Sequence, residues 1–95
     1  MIYSANIINQ EGCLIVSGDL NFFTVMPLWE QSVLLIQSLS ELNFDLSHVN
    51  SANSAGVALI IEWLKFARAN QKSIKFMQIP KQLASIVAAA GVSLN

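Results

Sequence analysis

Ninety-five residues with a formal charge of −1 suit one domain over residues 1–95, with a single core. Hydrophobic residues make up 54% of the chain and charged residues 12%, about half the charged fraction usual in a soluble domain. The five basic residues are scattered without a stripe, which argues against nucleic-acid binding, and the lone Cys13 excludes an internal disulfide or a cysteine-based zinc site.

Residues 2–8 read as a strand, Gln10-Glu11-Gly12 as a turn and residues 13–17, with Cys13 as a small core residue, as a second strand, so the chain is expected to open on a hairpin. Gly18-Asp19-Leu20-Asn21 interrupts that pattern. Pro27 suits the first turn of a helix, where its missing N–H costs nothing. Leu28, Val33, Leu34, Leu35 and Ile36 give that helix a wide apolar side, with Glu30, Gln31 and Gln37 outside and Trp29 at the core or its edge. Residues 42–46 form a short strand, flanked by helices and therefore buried. A helical pattern runs from Ser54 to about Asn70, residues 73–77 alternate as a strand, and Pro80 opens a last helix over 81–90 that Gly91 terminates. The order β-β-α-β-α-β-α predicts an α/β fold, a mixed sheet of about four strands with helices packed mainly on one face.

The apolar excess has to be placed somewhere. A small domain hides a limited share of its surface, so an exposed apolar patch and a protein partner are expected. The same excess allows a homodimer when that partner is absent. Membrane insertion is not expected, because no apolar run approaches the roughly 18 residues of a spanning helix. Glu30, Asp45, Glu62, Lys65 and Arg68 interrupt every candidate, and the N-terminal residues do not read as a signal peptide, which points to the cytoplasm.

Between residues 44 and 61 an apolar strand passes through a polar turn into a strongly apolar helix. Ser54 falls where that helix offers free backbone N–H groups and a partial positive charge. Its hydroxyl could cap the helix, sit at the centre of a protein interface or accept a phosphate; Asn53 is the alternative cap. Around a wheel of about 100° per residue, Val57, Ile60, Ile61, Leu64 and Ala67 form the expected core face. Leu59, Trp63 and Phe66 widen the apolar arc to roughly 200°, more than a half-buried helix requires. Those three either wrap the edge of the core or meet another protein, and the overall apolarity favours the second reading.

Catalysis finds little support. Ser54, His48 and Asp45 are near in sequence, but a Gly-x-Ser-x-Gly elbow is absent, and so is a Gly-x-x-x-x-Gly-Lys phosphate loop. His48, the sole histidine, reads as an exposed loop residue with no second ligand for a metal, so no metal and no cofactor are expected.

With this order of elements, Asn53-Ser54-Ala55-Gly56 before an apolar helix resembles the STAS domain of bacterial anti-sigma-factor antagonists. In that family an Asp-Ser/Thr-x-Gly motif begins the helix that docks on a partner; Ser54 matches the phosphoacceptor and Gly56 the glycine, while Asn53 replaces the aspartate. Pro27-Leu28-Trp29-Glu30, Asp45-Leu46-Ser47 and Gly56-Val57-Ala58-Leu59, with their spacing, look like the STAS subunits of Mla phospholipid-transport ABC systems. That resemblance implies a non-catalytic accessory subunit held at the inner membrane of a Gram-negative bacterium. It would bind and stabilise the transporter's cytoplasmic ATPase, in a complex with a membrane permease, and help maintain outer-membrane lipid asymmetry. The implied docking residues are Asn53, Ser54, Ala55, Gly56, Leu59 and Trp63. The alternative is an anti-sigma-factor antagonist that binds a serine kinase and is controlled by phosphorylation of Ser54.

Overall fold

The computed structural model describes residues 4–94. Strands β1 (Ala5–Gln10) and β2 (Cys13–Leu20) form the opening hairpin. Their Glu11-Gly12 turn has φ of 53° and 88°, the left-handed conformation that matches the twist of a two-residue hairpin. Ile2 and Tyr3, which the sequence places in the first strand, lie outside the described residues. Helix α1 (Val25–Ile36) leads to β3 (Glu41–Ala52), and helix α2 (Ser54–Ala69) to β4 (Ser73–Met77), followed by α3 (Lys81–Ala89). Among the described residues the sheet order is β1-β2-β3-β4, antiparallel for the first pair and parallel thereafter.

Alternation along the strands sets which face is covered. Leu42, Phe44 and Leu46 are fully buried, and their register partners Leu14, Ile74 and Phe76 lie on the same face. The other face carries Cys13, Ile15, Asn43, Asp45, Lys75 and Met77, none of them buried, so the helices lie on one side. One hydrophobic cluster takes buried residues from six of the seven elements, and Ile74 and Phe76 of β4 pack against it half-buried.

Two strands run further than their patterns predict. Register shifts between Ile15 and Ser17 and between Gly18 and Asp19 let β2 continue to Leu20 and β3 to Ala52. Each bulge resets the alternation, so Val49 and Ala52 turn inward amid polar neighbours that read as a loop. Gly18 makes this possible: its φ is 96°, and a Cβ there would collide with the Ser4 carbonyl oxygen.

Helix α1 starts two residues before Pro27, which stands in its first turn. The Thr24 hydroxyl precedes it, accepting from the Asn21 N–H at 3.0 Å and donating to the Asp19 carbonyl. Its inward stripe is Leu28, Ser32 and Ile36, and Leu34, expected on the apolar side, is 76% exposed. Four-residue spacing selects that stripe, and Leu34 lies off it.

Candidate functional site

The start of α2 is built by Asn53. Its N–H donates to the Leu20 carbonyl at 3.1 Å, tying the turn to β2. Its side-chain Oδ1 accepts from the Ala55 N–H at 2.8 Å, satisfying one of the free donors of the first turn. Asparagine thus does the capping that aspartate would do. The Ser54 side chain, freed from that task, is exposed and makes no hydrogen bond among the described residues.

The other four residues assigned to docking face inward. Ala55 is 2% exposed, and a Cβ at Gly56 would come 3.1 Å from Leu20 Cβ, so the glycine serves close packing of α2 on β2. Leu59 and Trp63 are also buried, so of their two readings the packing within the chain is the one seen here. The Trp63 ring stacks on Phe44 with centroids 4.2 Å apart. Its Nε1–H donates to the buried Ser32 Oγ at 2.9 Å, and that hydroxyl donates to the Trp29 carbonyl at 2.7 Å. Phe66 meets Trp29 edge-on at 6.2 Å. The wide apolar arc of α2 is therefore absorbed within the chain, by the sheet below and by α1 alongside. Its core face centres on Gly56, Leu59, Ile60, Trp63 and Ala67, with Ile61 and Leu64 at the half-buried edge.

The exposed apolar surface lies instead on α1 and the segment leading into it. Phe22 is 73% exposed, Phe23 77% and Met26 63%. Val25, Met26 and Trp29 of α1 face Ala58, Leu59 and Glu62 of α2 across an apolar groove, with Leu59 as its floor. A second depression joins Phe22 and Phe23 to Leu20, Ser51 and Asn53. Ala58 stands one helical turn beyond Ser54, so groove, aromatic pair and exposed serine share one end of the molecule. The signal for this patch was present in the sequence as Phe22-Phe23 and Met26 beside Pro27, outside the inward stripe.

His48 lies on β3, opposite Ser17, rather than in a loop. Its Nδ1 is 3.2 Å from Ser47 Oγ, and Ser47 N–H donates to Asp45 Oδ1 at 2.9 Å. The Ser47 backbone N–H first, then the Ser47 side chain and the nearby histidine, hold the Asp45 carboxyl below its ordinary pKa. No hydrogen bond joins either residue to Ser54, so the three form no relay. Among the described residues no cluster of His, Cys, Asp and Glu could hold a metal ion, and no helix is long and apolar enough to cross a membrane. Cys13 is half-buried on β2.

A four-stranded mixed sheet covered on one side, with a capped helix starting just past its third strand, defines the class of the protein. Two solved structures have a similar fold. The anti-sigma factor antagonist SpoIIAA in its unphosphorylated form has a TM-score of 0.71 at 10% identity, covering 96% of this chain and 82% of its own. RsbS of Moorella thermoacetica, with a serine-to-glutamate substitution, has a TM-score of 0.69 at 16% identity, covering 93% and 78%. At such identities the likeness is one of fold. A sequence family described as the MlaB STAS domain matches residues 5–93. The chain belongs to this MlaB-type STAS family. It is also 28% identical over 89 residues to the intermembrane phospholipid transport system binding protein MlaB of Haemophilus influenzae, covering 90% of this chain and 85% of that protein.

Proposed function

We propose that this chain is a non-catalytic accessory subunit of an ABC phospholipid transporter, in which it binds and stabilises the cytoplasmic ATPase. The observation that carries the reading is the apolar surface at the head of α1 and α2, where exposed Phe22 borders Asn53 and exposed Met26 borders Ala58, one turn beyond Ser54. Large apolar side chains grouped in this way mark a protein contact, because leaving them in water forgoes about 25 cal/mol per Å² of burial. The MlaB relative supports a place in phospholipid transport. Docking through this end seats the chain peripherally at the inner membrane, with the ATPase between it and the permease.

Purification of the tagged protein from its native cells in mild detergent, with mass spectrometry of its companions, tests the reading. An ABC ATPase and its permease recovered with wild type and lost with Ser54→Arg is the expected result. A serine kinase or sigma regulator in their place, with one phosphate gained at Ser54, would replace it by the antagonist reading, which the exposed hydroxyl and the fold of SpoIIAA favour.

A further inference from the structure

The sequence separates its charges by position. All six acidic residues lie at or before Glu62, and all five basic residues at or after Lys65. The apolar groove inherits one sign from this division. Glu62 lines it from α2, and Glu30, exposed on α1 one turn beyond Met26, extends its acidic side. Lys65 does not cancel this. Its ammonium is 3.5 Å from Glu62 Oε1, but the two side chains are 69% and 52% exposed, so the pair is screened by water and leaves Glu62 able to accept another cation.

This charge decides between two occupants. A two-fold dimer through the face would set this patch against its own copy, where the charged groups it offers are two carboxylates and one lysine already beside Glu62. Such a pairing leaves the acidic side short of cations and disfavours self-association. A different protein with basic residues beside apolar ones meets no such penalty. We infer that the groove takes a basic amphipathic segment of the partner, its apolar side chains seated over Leu59 and Ala58 and its Lys or Arg side chains against Glu30 and Glu62. The inference rests on the transporter-subunit reading and adds the chemistry of the partner's contact.

The test uses the ATPase recovered from native cells as the probe, with affinity measured for wild type, Glu30→Gln/Glu62→Gln and Glu30→Lys/Glu62→Lys. At ~0.1 M salt the lysine pair lowers affinity about 100-fold and the glutamine pair several-fold, and ~0.5 M salt narrows both gaps. Binding of the lysine pair equal to wild type would overturn the inference and leave the transporter reading standing. A wild-type dimer that Met26→Glu dissociates would overturn it in favour of a second copy. Recovery of no ATPase with wild type would end both.

Discussion

Trp63→Ala separates a core tryptophan from a docking one. The indole is fully buried, stacked on Phe44 at 4.2 Å and hydrogen-bonded to Ser32 at 2.9 Å. Truncation removes the ring, opens a cavity between α2 and the sheet and deprives the Ser32 hydroxyl of its donor. Large aromatic truncations of this kind cost about 3–5 kcal/mol. A domain of this size has roughly 5–14 kcal/mol in all. The loss is therefore a large fraction of the total, and it lowers Tm by roughly 15–30 °C. Urea unfolding followed by far-ultraviolet circular dichroism measures it. Trp63→Phe keeps an aromatic stack but loses the N–H donor, and should fall between the two at about 1–3 kcal/mol. A Trp63→Ala variant with a wild-type midpoint and weakened partner binding would refute this reasoning and return the side chain to the interface.

Gly56→Trp fails by the same logic as a probe of binding, because its Cβ already meets Leu20 at 3.1 Å; it should destabilise the fold by about 3 kcal/mol or more, whereas exposed Ser54→Arg should stay within about 0.5 kcal/mol of wild type in the same urea titration. Asn53→Ala loses the cap on Ala55 and should cost about 1 kcal/mol, while Asn53→Asp keeps it, as paired thermal melts would show. Asp45 has a lowered pKa in the folded state, so its contribution is present above the unfolded value of about 3.9 and is lost as pH falls from there through the folded value. Wild type should therefore lose more stability than Asp45→Asn between about pH 5 and 3, and equal losses in urea midpoints would refute the assignment.

The element order was legible because its signals are local. Residues 73–77 alternate and form β4 as read, and α2 starts at Ser54 because an asparagine cap, small residues and an apolar run coincide there. The end of β3 was not legible. Ser47, His48, Asn50 and Ser51 look like a turn, and only two register shifts against a distant strand keep them paired. The orientation of α2 was not legible for a related reason. A wheel shows how wide its apolar arc is, but not that α1 covers one flank through Trp29 and Ser32. Leu59 and Trp63 are therefore core residues, and the exposed surface is formed by Phe22 and Met26, whose exposure depends on where α1 sits. Asn53 and Ser54 stayed accessible because a capping residue and the first residue of a helix stand at its open end.

Site-specific photocrosslinking in native cells tests the account most directly, with the reactive group placed in turn at Met26, Ala58 and Ile15. Met26 and Ala58 border the groove, whereas Ile15 lies on the uncovered sheet face. The account predicts crosslinks to an ABC ATPase from Met26 and Ala58 and none from Ile15. Crosslinks to that ATPase from Ile15 alone, or to a kinase from the groove, would contradict it.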